Sequence, residues 1–274
     1  MSFEESYYEN QEQWVRGRFR YADLQRYATL ADKLPLDVRS LLDVGCGNGL
    51  FLQHLGGLHV RKFERLCGVD RSKEALTTVQ VENVRASVES LPFKNSEFDA
   101  VSCLEVLEHL SQTTFTDALD ELSRTARRYI LVSVPYNEDL RMSLTECSKC
   151  CCRFHPYYHL RTFNTQTVQA LFDSKGFTCS EVFHMCPERV VPWRFESVLR
   201  LFGMVRRKIL RQPLVSIGAF ALCPACGYSP CNDGSNSWRS VVQPVRTSGM
   251  TRAIRSVLSV RASWRWFGAL YVRM

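Results

Sequence analysis

At 274 residues, with 45% hydrophobic and 23% charged side chains, the chain has a soluble globular composition and enough length for a sizeable core. No uninterrupted apolar run reaches the roughly 18 residues of a membrane span, and Met1 to Asn10 is acidic and aromatic, unlike a signal or transit peptide, so a cytoplasmic location is expected. The net charge of +7 sits at the end: no acidic residue follows Asp233, whereas Arg239, Arg246, Arg252, Arg255, Arg261, Arg265 and Arg273 do.

Residues 1–20 mix Tyr7, Tyr8, Trp14 and Phe19 with arginines and carboxylates, as a helix packed on a sheet edge would. Tyr21 to Leu34 has helical spacing and stops before Pro35. Strands are then expected at 40–45, 65–69, 82–86, 98–103 and 129–134, with helical patterns between them, such as Ser72 to Gln80 and Thr116 to Ala126. This alternation predicts a doubly wound, mostly parallel α/β sheet, whose ligands bind beyond the C-terminal ends of the strands. Apolar segments 177–186 and 214–222, around a basic helical stretch from Trp193 to Arg211, bring the sheet to seven strands. Residues 1–228 are thus expected to form one domain, 229–249 a linker rich in Ser, Asn, Pro and Gly, and 250–274 a separate tail.

In that tail Ala253, Val257, Val260, Trp264, Phe267 and Tyr271 fall on one helical stripe flanked by arginines. A basic amphipathic C-terminal helix is expected, which either lies on an anionic membrane surface as a peripheral contact or docks on the protein itself. Nucleic acid ranks lower, because no recognisable RNA-binding fold interleaves the aromatic and basic residues.

The most informative stretch is Leu41-Leu42-Asp43-Val44-Gly45-Cys46-Gly47-Asn48-Gly49-Leu50. A buried strand runs into glycines at alternate positions and then into a helix start. Glycine is required where backbone turns sharply or approaches a ligand closely. Asp70 ends the next apolar strand, where a carboxylate can accept hydrogen bonds from both hydroxyls of a ribose. At these residues the chain resembles the class I S-adenosylmethionine-dependent methyltransferases of the type 11 and type 23 kind. Asp43 to Gly49 matches that family's first motif and Gly68-Val69-Asp70 its second.

The resemblance implies a seven-stranded Rossmann-like sheet and an enzyme that uses S-adenosyl-L-methionine. It implies cofactor contacts at Asp43, Gly45, Cys46, Gly47, Asn48, Gly49, Asp70, Arg71, Ser87, Val88, Leu104 and Glu105. The family usually carries an Asp where this chain has Ser87, so the adenine contact departs from the pattern there. In relatives, a segment like residues 1–20 often covers the cofactor as a lid.

Glu105, Glu108 and His109 lie at i, i+3 and i+4, one face of a helix. Their oxygens and imidazole could hold Mg²⁺, Mn²⁺ or Zn²⁺, in a pattern similar to that of metal-using O-methyltransferases; otherwise His109 acts as a general base or only hydrogen-bonds the loop. His159, in a His-x-Arg-x-Phe segment similar to that of relatives, is a second candidate base. Arg153 and Arg161 either pair with an anionic acceptor or are surface charges.

Twelve cysteines are many for a cytoplasmic enzyme. Cys147-x-x-Cys150 and Cys223-Pro-x-Cys226-Gly each have the spacing with which two thiolates grip one ion on a tight turn, and together they predict a structural Zn²⁺. Free thiols, or ligation by His155 or His159, are the alternatives. The long spacer between Cys150 and Cys223 argues against the pairing, since ribbon spacers run to roughly 15–20 residues. With 214–222 as the last strand, Cys223 would emerge at the far sheet edge.

These features favour methyl transfer to an oxygen of a small molecule, sugar or lipid-linked glycan. Metal-assisted RNA 2′-O-methylation is the alternative within enzymes, and a non-catalytic, zinc-stabilised cofactor-binding adaptor the alternative outside them. Nothing in the sequence sets the oligomeric state.

Overall fold

The structure is a computed structural model of the chain and describes residue 9 and residues 21–58, 62–147, 149–190, 222–228, 239–240 and 261–274. It divides into two compact units. The first holds Met1–Glu138, Leu160–Cys186 and Arg265–Met274, and the second Asp139–His159 and Pro187–Trp264.

In the first unit, helix α1 (Tyr21–Lys33) leads into β1 (Ser40–Val44), α2 (Leu50–Gly56), β2 (Arg65–Asp70), α3 (Lys73–Leu76), β3 (Glu82–Arg85) and β4 (Phe98–Leu104). Then come α4 (Gln112–Thr125), β5 (Ala126–Pro135), and, beyond the second unit's β6 (Thr145–Glu146) and β7 (Arg153–Phe154), α5 (Thr165–Gln169) and β8 (Phe177–Val190). After β9 (Arg239–Ser240), the last strand is β10 (Arg261–Arg273). The sheet order is β3-β2-β1-β4-β5-β10-β8. Neighbours from β3 to β5 run parallel, and β10 runs antiparallel to β5 with Trp266 opposite Pro135 and Val272 opposite Tyr129.

Alternate residues of each central strand enter opposite cores, as the period-2 pleat requires. On one face Leu42, Val44, Ile130, Val132, Phe267, Ala269 and Tyr271 pack with Ala118 and Leu122 of α4. On the other, Leu41, Leu131, Trp266 and Leu270 pack with Leu30 of α1 and with Phe51, Leu52 and Leu55 of α2. Both faces are covered, so the inner strands read as continuous apolar runs rather than alternating ones.

That rule corrects the expected C-terminal helix. Trp264 to Arg273 belongs to the interior strand β10, whose Phe267, Ala269 and Tyr271 enter one core and Trp266 and Leu270 the other, instead of one helical stripe. Gly268 lets it fit: a Cβ there would lie 2.6 Å from Phe183 on β8. Arg273 donates to the carbonyls of Ser123, Ala126 and Arg127 rather than facing a lipid surface. The expected strand at 214–222 falls outside the described residues apart from Leu222, and β10 takes its place in the sheet. The expected domain therefore does not close at residue 228. Within the expected linker, 239–240 is strand β9, while residues 193–211 and the rest of that linker lie outside the described residues. No described helix is long and apolar enough to cross a membrane.

In the second unit, β6 pairs antiparallel with both β7 and β9.

Candidate cofactor site and cysteine cluster

The turn after β1 is left-handed at Gly45, Gly47 and Gly49, with φ of 74°, 53° and 76°. The first is the most constrained, because a Cβ there would lie 2.2 Å from Val106 Cγ2. Gly45 N and Cys46 N donate to Val69 O at 2.8 and 2.9 Å, which fixes the turn against β2. Gly49 caps the start of α2, where no described side chain accepts from the first amides. Cys46, largely buried, backs the turn rather than opening to solvent, and burial pushes its thiol well up.

Asp70 Oδ2 accepts from Gly47 N at 2.8 Å and Oδ1 from Ser72 N at 2.9 Å. Each oxygen keeps a lone pair for a diol. Burial raises this carboxyl, against the pull of the two amides. Glu9 sits beside it: its carboxylate accepts from Lys73 N and Glu74 N, both at 3.2 Å, and pairs with Arg85 at 2.9 Å. The rest of the expected lid segment lies outside the described residues.

Asp43 is 3% exposed and accepts from Ser102 Oγ at 2.7 Å. Burial pushes its carboxyl up to about 7 despite that bond. Asn48 and Arg71 flank the same turn, with Asn48 O accepting from Thr78 and Arg71 O from Arg85. After β3, the Ser87 hydroxyl donates to the Glu89 carboxylate, so a charge stands close to where the family carries its Asp. Val88 and Leu91 are buried in the core below.

Leu104 ends β4 and Glu105 turns left-handed at φ 58°, rare for a residue with a Cβ. Its carboxylate accepts from Ser133 Oγ at 2.7 Å and faces Arg26 Nη1 at 3.4 Å. The following residues form a 3₁₀ turn, Leu107–His109, instead of the helix that would have put Glu105, Glu108 and His109 on one face. Glu108 and His109 stay together, with His109 Nε2 3.9 Å from Glu108 Oε1, while Glu105 is held by Arg26 and Ser133. Glu108 is 1% exposed with no hydrogen-bond partner for either oxygen among the described residues, and burial beside Glu105 and Glu138 raises its carboxyl strongly.

Arg26 is the residue that the sequence reading missed. It is buried on α1 between the rings of Tyr27 and Trp266, at 5.1 and 4.8 Å, and facing Glu105. The signal was positional: it shares the helical stripe of Tyr27, Leu30, Ala31 and Leu34, where an arginine needs a buried anion. Arg161 stacks on Phe115 at 3.8 Å and donates to Leu110 O, and Arg153 pairs with Glu146 at 3.0 Å, so both charges have structural partners. In the second unit His159 stacks on His155 with ring centroids 4.6 Å apart.

The four cysteines of the two C-x-x-C pairs do meet, all in the second unit. Cys147 Sγ lies 3.7 Å from Cys226 Sγ and Cys150 Sγ 3.4 Å from Cys223 Sγ, with all four sulfurs within 4.8 Å of one another. The topological objection loses its premise because β10 pairs with β5 in the sheet, and Cys223 lies in the long excursion between β8 and β10.

Residues 42–129 match the family described as Methyltransferase domain. Curated relatives include the ubiquinone biosynthesis O-methyltransferase of Alkalilimnicola ehrlichii, 38% identical over 85 residues, which are 27% of this chain and 33% of that protein. Another is the tRNA U34 carboxymethyltransferase of Campylobacter curvus, 30% identical over 116 residues, 36% of this chain and 38% of that protein. The chain thus spans about a third of the length of the curated relatives it matches. Among solved structures, the complex of the Haloferax volcanii Trm112 methyltransferase activator with a methyltransferase superposes with a TM-score of 0.57 at 12% identity, over 100% of this chain and 98% of that one. The cyclase SpnF gives 0.53 at 17% identity, over 94% and 84%. At such identities the likeness is one of fold. Residues 42–129 thus match the methyltransferase-domain family, and the seven-stranded, mostly parallel sheet has the Rossmann-like methyltransferase fold.

Proposed function

We propose that the chain moves the sulfonium methyl of S-adenosylmethionine to a hydroxyl oxygen of a small-molecule acceptor. The supporting observation is the paired cradle of a glycine turn with no room for a Cβ at Gly45 and the Asp70 carboxylate beside it. It lies within the segment that matches the methyltransferase family.

In the reaction the acceptor oxygen forms a bond to the methyl carbon as the carbon–sulfur bond breaks, leaving S-adenosylhomocysteine. The donor is already activated, so positioning and exclusion of water carry most of the acceleration. A hydroxyl acceptor also needs its proton removed, and His109, after β4 and next to the buried Glu108, is the first candidate for that base. His159 remains the second candidate. Support for oxygen comes from the names of the ubiquinone-pathway relatives. The described part of the tail gives no support for a lipid-linked acceptor, since Arg261–Arg273 is a strand. Of the expected metals, Zn²⁺ suits the soft four-thiolate cluster, whereas Mg²⁺ or Mn²⁺ held by the expected set of Glu105, Glu108 and His109 would have to take Glu105 from Arg26.

The test is incubation with methyl-labelled cofactor and separate pools of catechol or quinol, sugar, glycolipid and RNA acceptors. Label is expected on a small hydroxyl compound. Label found in RNA alone would sink the reading, and cofactor binding without turnover on any pool would point to an adaptor.

A further inference from the structure

Two turns of the second unit are built alike. In one, Cys147 N donates to Cys152 O at 2.8 Å and Cys151 N to Cys147 O at 2.9 Å. In the other, Cys223 N donates to Tyr228 O and Gly227 N to Cys223 O, both at 2.8 Å. The residue after each second cysteine is left-handed, Cys151 at φ 59° and Gly227 at φ 66°. The first turn is the tip of the β6–β7 hairpin, in which Thr145 pairs with Phe154 and Glu146 with Arg153. Both turns thus present two sulfurs from one tight loop, and the short sulfur–sulfur approaches join one turn to the other.

The spacing decides the chemistry. Four thiolates about 2.3 Å from a tetrahedral ion lie about 3.8 Å apart, whereas a disulfide requires about 2.05 Å. Separations of 3.4 and 3.7 Å fit the former, and the four cysteines are free thiols. Soft sulfur donors select zinc over magnesium or manganese, and a complete set of four leaves no position for water or substrate.

Among the described residues, the core around the cluster is small. The buried cluster described in this unit consists of Cys147, Phe154 and Cys223, with Cys152, Tyr158 and Tyr228 packed on it, so two of its three buried members are the sulfur donors themselves. One further tie is polar: the Tyr158 hydroxyl accepts from Leu222 N and donates to Leu222 O, each at 2.7 Å. A small core offsets little of the conformational entropy of the chain it orders, which is why small units carry metals or disulfides.

We propose that Cys147, Cys150, Cys223 and Cys226 bind one Zn²⁺ as a closed clasp of two like turns, and that the ion is a folding requirement of the second unit with no part in methyl transfer. This deepens the zinc assignment above and stands whatever the methyl acceptor proves to be.

The test uses the full chain, purified under reducing conditions. One zinc per chain is expected by elemental analysis, and replacement by Co²⁺ should give the intense sulfur-to-cobalt absorption of a tetrahedral tetrathiolate. Chelation should make 139–159 and 187–264 sensitive to limited proteolysis and leave 42–129 resistant and able to bind cofactor. Adding zinc back should restore the original pattern. Cys226→Ser should lose the metal, whereas Cys152→Ser, beside the cluster, should keep it. If Cys226→Ser cannot be purified, the cobalt spectrum of the unaltered protein still decides. A metal-free protein with free thiols or disulfides, a cobalt spectrum with fewer than four sulfurs, or a proteolytic pattern indifferent to chelation would each overturn the proposal.

Discussion

The Ser102 hydroxyl reaches across from β4 to donate to Asp43 Oδ1 on β1 at 2.7 Å, inside a sheet that otherwise buries only apolar side chains at those registers. That single bond does not offset burial, and the Asp43 carboxyl stands at about 7. In the unfolded chain it ionises near its ordinary value of about 3.9. Between those values the unfolded state releases a proton that the folded state keeps, so the stability of the ligand-free protein should fall as pH rises from about 4 towards 7. A cationic cofactor favours the carboxylate. Binding should therefore tighten with rising pH across the upper part of this window and release a proton. Calorimetry near pH 6 in buffers of different ionisation enthalpy reads the proton count, and Asp43→Asn should abolish it.

Gly45→Ala places a methyl group 2.2 Å from Val106 Cγ2 in a backbone conformation that L side chains avoid. We expect at least a tenfold weaker cofactor affinity, on the scale of the ~1–3 kcal/mol typical of overpacking. Adding Val106→Ala should recover part of the loss by relieving the clash and leave the φ penalty. Titration of the two single variants and the double variant measures both contributions.

His109→Ala should lower kcat by about 10²–10⁴-fold if the imidazole takes the acceptor's proton, with little change in affinity for the cofactor. Glu108→Gln keeps the shape beside it and removes a titrating group. It should shift the alkaline or acidic limb of the rate profile without abolishing turnover. Unchanged profiles for both variants would rule out His109 as the base.

Gly268→Val tests the last strand. The added branches would run into Phe183, 2.6 Å from the position of a Cβ, and towards Val132 O at 3.1 Å. A cost of about 1–3 kcal/mol is expected, read as an earlier midpoint in denaturant. A mobile surface helix would tolerate the same change without loss of stability.

Legibility followed the locality of the physics. The strands β1, β2, β4 and β5 are readable because each holds a short apolar run bounded by turn residues, the polar β3 through its place in the alternation, and the glycine turn because each glycine answers a local demand. Helical periodicity misled at Trp264, Phe267 and Tyr271, since a strand buried on both faces has no alternation to set against it. Glu105 was placed on a helix because i, i+3 and i+4 spacing says nothing of a left-handed residue at a strand end. Arg26 went unread because its partner lies on another element. The two cysteine pairs were visible as pairs, and what joined them was topology.

The antiparallel position of β10 also sets the order in which the molecule can be assembled. Strand β5 is complete at Pro135, yet the strand that covers its edge begins to pair only at Trp266. Until then β5 presents an open row of amides and carbonyls, a template for pairing with another chain. Contacts so distant in sequence slow folding, because the connecting chain must be closed before they form. Joining Cys147 to Cys226 removes most of that spacer from the search. Metal supply during synthesis would then govern the yield of soluble sheet as well as the integrity of the second unit, although no zinc ligand belongs to the sheet.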